Sequence, residues 1–474
     1  MSKNPYRQDR EELRELLQQF ANLKSGKSYA FIEEDGFHRI LDYFIEKEQH
    51  SNALEAVNYA IQQYAYSAAL LIKKADVLIS LHQYKESLQV IEQAALLDSS
   101  DAALYVIKMD ALLALDDQQE ASVLLKEAVS LFEGEERVDL LFELADVYDD
   151  YENFEKVFDC LKMILQDDPT NEEALYKICF WTDFTGRNEE GIKLHQRIIE
   201  QHPFSELAWF NLGAAYQGIK LYEKAIDAYQ YAVAIDDKFD YAYRNMGDAF
   251  IKLRKYKEAI EELEKVVDLA RPEAVIYEAI GHCYDKLGSF SQARSNYKKA
   301  SHLNAEDNQM HYKIACTYMN EGIWHNAIKS LQTALKSNAM QPDYNLALGR
   351  CYLELGNIND AVVHLGNVVR VKPKNMIGWM ELLKCLYKGE LYEEGLDYAS
   401  VAFEQTDSKP IFVFYTSAFL FALGRSKEAL IYLEHALVAN AKLIKQFIEI
   451  NPSLLQNQQI VELLAKYKKS KSRK

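Results

Sequence analysis

No stretch of 18 uninterrupted apolar residues occurs anywhere in the 474 residues, and the opening Met-Ser-Lys-Asn-Pro-Tyr-Arg-Gln-Asp-Arg has no apolar signal core. That excludes a membrane-spanning helix and leads to the expectation of a soluble, cytoplasmic protein. Cysteine is sparse, 6 in all, and no pair has C-x-x-C spacing. A disulfide framework is excluded, and a reducing compartment is consistent. Positive charge is also short, with 54 Lys and Arg against 72 Asp and Glu for a net −18. Nucleic-acid phosphates demand clustered Lys and Arg, so nonspecific nucleic-acid binding is disfavoured. The 11 histidines are scattered, and there is no H-E-x-x-H, no G-x-x-x-x-G-K and no G-x-S-x-G. No metal, nucleotide or other cofactor is expected, and the chain does not read as an enzyme.

What is present is a period. Gly213, Gly247, Gly281 and Gly349 fall on one lattice of 34 residues, with Ala315 at the remaining node. Self-similarity near this period marks a helix-turn-helix solenoid, because one helix pair cannot bury its apolar face alone and must stack on its neighbours. Residues 206 to 239 show the unit most clearly, with Trp209, Leu212, Gly213 and Tyr216 in a first helix and Ala225, Tyr229 and Ala232 in a second. Apolar positions three and four apart make one buried stripe per helix, and a small residue sits where a neighbouring helix crosses closely. The pattern W-x-x-L-G-x-x-Y followed by A-x-x-x-Y-x-x-A resembles the tetratricopeptide repeat family.

Stepping by 34 places units at 172, 206, 240, 274, 308, 342, 376 and 410, with Ala225, Ala259, Ala293, Ala327, Ala361 and Ala429 at one small-residue node and Gly191 and Gly395 at its other occurrences. Pro169, Pro203 and Pro373 mark junctions where a second helix must stop. Gly186, Gly288, Gly322, Gly356 and Gly424 mark the turn inside the unit. Upstream the pattern continues at 138, 102, 68 and 34, carried by Leu141, Leu144, Ala145 and Tyr148, then Ala121/Ala128, Ser87/Ala94 and Ala53/Ala60, with Glu136 and Arg137 inserted. The reading is an all-α chain: a capping helix near 6 to 23 within 1–33, about twelve units over 34–443 in one continuous solenoid without an internal domain boundary, a capping segment at 444–467, and a disordered basic tail at 468–474. Cys283, Cys351 and Cys385 share one helix position and read as core packing. The resemblance implies a right-handed superhelix whose first helices line the concave side, with ligands met at positions 2, 5, 6, 9, 12 and 13 of each unit.

Charge is unevenly spread. Residues 34 to 171 hold 29 acidic against 10 basic side chains, a balance of −19, so the remainder is nearly neutral. Position 9 is aspartate in four successive units, Asp42, Asp76, Asp110 and Asp146, joined by Asp149 and Asp150. Parallel carboxylates repel one another, and a basic peptide would relieve the repulsion, so a basic partner segment is expected at units one to four. Position 5 carries Phe142, Tyr176, Phe210, Tyr312 and Phe414, candidate apolar anchors. Position 6 carries Asn211 and Asn245, where the family uses asparagine to bond an extended ligand's backbone. Further on, Arg244, Lys252, His282, Lys286, Arg350, Lys384 and Lys388 suggest a groove that changes polarity. The pattern by which some relatives grip an acidic C-terminus is absent.

The leading reading is a noncatalytic scaffold or adaptor that captures an extended or helical segment of a partner protein in the concave groove. One alternative is a self-assembling homo-oligomeric module, in which the six cationic side chains of Lys466–Lys474 dock on the acidic units of another copy. A second is an RNA-associated helical repeat, which the acidic N-terminal third argues against.

Overall fold

The computed structural model describes residues 5–26, 31–271 and 273–471. Among the described residues the regular structure is α-helical, with two short 3-10 turns at Ala441–Leu443 and Pro452–Gln456 and no strand. They fall into two compact units, Met1–Ala242 and Tyr243–Lys474.

In the first unit the opening helices of the hairpins, Glu34–Glu46, Ala68–Ser80, Ala102–Ala114, Glu172–Phe184 and Glu206–Gly218, start on the lattice. The residue before the lattice start explains the phase. Ser67, Asp101, Asn171 and Ser205 each accept a hydrogen bond from a backbone N–H of the first turn, as an N-cap should. The inserted Glu136 and Arg137 are absorbed as extra helix: Gly134–Asp150 has 17 residues where its counterparts have 13. The helix Pro5–Lys24 lays Leu16 and Phe20 on the first hairpin, where Phe20 meets Phe44 and Tyr59 edge-on. Between the fourth and fifth hairpins, the Arg187 guanidinium lies 4.1 Å over the Phe158 ring and bonds Asp159 and Glu190 at 2.8 Å each. Charge-assisted bonds of this kind hold the start of helix Asn188–Gln201 against helix Phe154–Asp167 of the preceding hairpin.

In the second unit the first helices Ala274–Lys286, Pro342–Glu354, Met376–Lys388 and Pro410–Ala422 keep the same phase. The lattice glycines sit at helix crossings. A Cβ on Gly247, Gly281 or Gly349 would lie 2.6–2.7 Å from the side chain of Leu263, Tyr297 or Leu365 on the second helix of its own hairpin. In the first unit Gly213 meets Tyr229 in the same way. Cys283, Cys351 and Cys385 are buried. Phe447 and Ile460 cover Phe414 and Leu433 of the last hairpin, which would otherwise present a bare apolar face.

One feature extends the expectation and another departs from it. The left-handed backbone at the turn inside each hairpin is not confined to glycine: Glu48, His82, Asp116, Glu152, Lys220, Arg254 and Glu390 adopt it beside Gly186, Gly288, Gly322, Gly356 and Gly424. Tertiary packing imposes the conformation whatever residue stands there. The last helix runs Gln458–Lys471, past the expected end at 467. Lysine is a good helix former and its charge is favourable near a helix C-terminus, so cationic composition does not by itself end a helix. Residues 472–474 of the basic tail lie outside the described residues.

Candidate functional site

The aspartate column resolves into unlike members. Asp42 is exposed and pairs with Lys73 at 2.7 Å, and Asp146 is exposed with Lys177 Nζ at 3.8 Å. Between them Asp76 and Asp110 are half-buried. Burial pushes the Asp76 carboxyl above the usual carboxylate range; Lys73 opposes this, and the Asp110 charge adds to it. Asp110 is likewise raised by burial, eased by the Tyr151 hydroxyl donating to its Oδ1 at 2.6 Å, and raised again by Asp150. Asp76, Asp110 and Asp150 therefore form one coupled line of charge, with exposed Asp149 beside it. Glu143 is raised by burial and then by Asp139, Asp146 and Asp101. Burial is the main cause in each case, and the further rise contributed by like-charged neighbours reports negative potential along this line of side chains. A cation brought to this face would lower all of them.

The position-5 aromatics are equally mixed. Phe142 is half-buried with Lys177 Nζ 5.0 Å from its ring centre, while Tyr176 is exposed. Phe210 is half-buried, its ring 5.0 Å from Phe239 and 5.7 Å from Tyr229. Two expectations need correction. Asn211 is buried, and its Nδ2 donates to the Leu175 carbonyl at 2.7 Å, so it ties its helix to the preceding hairpin instead of presenting an amide to a ligand. Phe414 is fully buried against Phe447 at 5.6 Å, because the closing helices cover the last hairpin.

Phe180 and Phe184, on the same helix as Tyr176, were not anticipated as site residues; they are 60% and 56% exposed. The signal was available in the four-residue spacing of three aromatics on one helix. It is lost when each position is compared only with its equivalents in other units.

In the second unit Arg244, Arg350 and Lys384 find acidic partners. Arg244 pairs with Glu273, Arg350 bonds Glu381 at 3.1 Å, and Lys384 lies 3.9 Å from the same Glu381. Half-exposed pairs of this sort contribute little stability, but they cancel the local field. The expected basic stretch is thereby offset at these three positions. Asn245 and His282 are half-buried, and burial, then Lys286 and Lys313, hold the His282 ring below its ordinary value and neutral. Tyr312 stacks on Tyr344 at 4.8 Å. Among the described residues no group of three His, Cys, Asp or Glu side chains is placed to hold a metal ion, and no helix is long and apolar enough to cross a membrane.

The C-terminal ARM domain of tetratricopeptide repeat protein 21 matches residues 216–347, and a tetratricopeptide repeat family matches residues 184–238 and 346–410. No curated protein matches the chain by sequence. Among solved structures, YrrB, described as a TPR protein with an unusual peptide-binding site, is 20% identical over 39% of this chain and 95% of its own, with a TM-score of 0.35. The C-terminal part of a TPR repeat-containing protein from Cytophaga hutchinsonii is 17% identical over 54% of this chain and 99% of its own, TM-score 0.44. The Cut9–Hcn1 hetero-tetramer of the APC/C yields a match at 13% identity over 82% of this chain and 97% of that one, TM-score 0.34.

Proposed function

This chain is built of tetratricopeptide repeats, and from that premise we propose that it is a noncatalytic scaffold holding a basic segment of a partner protein against the acidic face of its first hairpins. Repeats of this kind serve protein–protein interaction in general. The observation that carries the specific reading is the pair Asp76 and Asp110, half-buried at the same position of successive hairpins, with the Asp110 charge adding to the burial that raises Asp76 and the Asp150 charge adding to the burial that raises Asp110. Half-buried carboxylates that feel one another's charge cost stability, and a protein retains that cost most readily where a ligand offsets it. Lys and Arg of the partner would supply the missing countercharge and, through long-range attraction, speed its arrival.

The test uses neutral isosteres. Asp76→Asn with Asp110→Asn keeps an acceptor for Tyr151 while deleting both charges. Because both carboxyls are raised in the folded state, their ionised forms oppose folding at neutral pH, and the double variant should melt at or above the wild-type temperature. Its affinity for a labelled Lys- and Arg-rich peptide should fall roughly 10-fold or more at low salt, the scale of a close charge pair at an interface. Equal binding by the two proteins, or no binding by the wild type, removes the proposal. Tight binding of single-stranded RNA at physiological salt would favour a nucleic-acid role instead.

A further inference from the structure

The exposed rings of helix Glu172–Phe184 extend the scaffold reading, on which this inference rests. Tyr176, Phe180 and Phe184 recur every four residues and are 61%, 60% and 56% exposed. At roughly 1.5 Å rise per residue they form a stripe about 12 Å long on one side of the helix. The stripe is stiff. Phe180 and Phe184 stack at 5.6 Å, Trp181 abuts both, at 4.9 Å and 5.6 Å, and Phe154 packs against Trp181 at 5.4 Å and Phe184 at 4.9 Å. Rings already ordered lose little entropy when a partner covers them, which is what makes buried aromatic anchors strong.

At the opposite end of the same helix lies an open pocket of about 570 Å³ whose walls include Glu135, Asp139, Asp167, Asp168, Glu172 and Glu173 over the apolar Val138 and Phe142. Arg137 pairs with Asp167 at 2.9 Å and Lys177 with Glu173 at 2.9 Å; among the described residues no cation pairs with Glu135, Asp139, Asp168 or Glu172. Lys177 is an internal sample of the chemistry on offer. Its ammonium sits over the Phe142 ring and reaches both Glu173 and Asp146. A carboxylate-lined pocket with an aromatic floor suits a lysine or arginine side chain.

We propose that this surface takes a partner-protein segment of two parts, a short cationic run seated in the pocket and bulky apolar side chains laid along Tyr176, Phe180 and Phe184. The two parts are joined by one helix, so the segment lies in a single direction. Glu173 to Phe184 spans roughly 16 Å along the helix axis. An extended segment covers that in about five residues, and a helical one in about eleven. An anionic membrane or a nucleic acid would be repelled by the same carboxylates that attract this segment.

The experiment uses the full chain and synthetic fluorescein-labelled peptides: a Lys-Arg-Lys run followed about five residues later by Phe and Leu, the same composition in reverse order, the basic run alone and the apolar half alone. At least one two-part peptide should bind the wild type roughly 10-fold tighter than the basic run. Phe180→Ser with Phe184→Ser should reduce that peptide to the affinity of the basic run, leaving its salt dependence unchanged. Asp139→Asn with Glu173→Gln should instead flatten the salt dependence. Tyr176→Ser, which removes an exposed ring outside the stacked cluster, should weaken binding by a smaller factor and guards against misfolding of the double variant. Equal binding of the two-part peptides and the basic run overturns the inference and leaves the scaffold reading standing. Unchanged affinity in the ring variants does the same. Failure of every peptide on the wild type overturns both. Dimerisation that the ring variants abolish would assign the stripe to a second copy and also overturn the inference.

Discussion

Lowering the pH from 7 to 5 is expected to destabilise the region around helix Asn188–Gln201 by about 2 kcal/mol through His195 alone. This residue is fully buried, and neither ring nitrogen has a hydrogen-bond partner among the described residues. It stands in the second helix where the equivalent hairpins place Tyr229, Leu263, Tyr297, Leu331 and Leu365. Burial pulls its pKa from 6.5 down to about 3, so the folded protein keeps it neutral. The unfolded chain takes up the proton near its ordinary value, and the folded one does not. The contribution to stability is therefore complete above about pH 6.5 and is lost progressively as the pH falls toward 3. At pH 5 the gap is about 1.5 units at 1.36 kcal/mol per unit. Asp76, Asp110 and Glu143, raised in the folded state, work in the opposite direction, so the comparison must be made against a variant at the histidine itself.

His195→Leu supplies that comparison. It installs the side chain used at the equivalent positions and removes two buried polar atoms that make no bond, each costing about 1–3 kcal/mol. The variant should be more stable at pH 7, and hydrogen exchange across helix Asn188–Gln201 should slow. Its stability difference from the wild type should widen by about 2 kcal/mol on going to pH 5. Parallel pH dependence in the two proteins would mean that His195 finds a proton partner and would defeat the argument.

The second large effect is a contrast of sign between two glycines in neighbouring hairpins. Gly366 lies inside helix Ile358–Val371 with nothing near the site of a Cβ. Gly366→Ala should gain the helix-propensity difference, about 1 kcal/mol. Gly395 lies inside helix Tyr392–Gln405, but a Cβ there would stand 2.2 Å from Phe419 Cε1 and 2.4 Å from its Cζ. That ring is wholly buried and packed 5.5 Å from Tyr387, so it has nowhere to swing. The same propensity gain is then outweighed by overpacking, which costs about 1–3 kcal/mol and here falls at the upper end because the ring cannot yield. Gly395→Ala should lower the unfolding midpoint, and adding Phe419→Leu should restore most of the loss. A stabilised Gly395→Ala protein would show that the helices slide apart freely.

Phase was the most legible property of the chain. Trp209, Gly213 and Tyr216 set a lattice whose starts at 34, 68, 102, 172, 206, 240, 274, 342, 376 and 410 are helix starts in the structure. The site was legible only in outline. The column of aspartates could be read, but not the fact that its end members are exposed and pair with Lys73 and Lys177 while Asp76 and Asp110 are half-buried, raised first by that burial. Asn211 and Phe414 looked like groove residues by position and are core residues by contact. Position within a unit says which side of a helix a residue occupies, but what covers that side depends on neighbours one unit away or, at the last hairpin, on helices outside the repeat.

The period, the helical hairpin, the small residues at crossings and the acidic weight of the first units follow from residue type and spacing, because helix packing repeats with the chain and charge is additive along it. The identity of the half-buried carboxylates, the exposure of Tyr176, Phe180 and Phe184 and the burial of an unpartnered His195 arose only on folding. Each depends on which side chains meet across helix junctions, where burial and pairing act over a few ångströms between residues far apart in the chain; the four-residue spacing of the three aromatics marks a stripe but not what covers it.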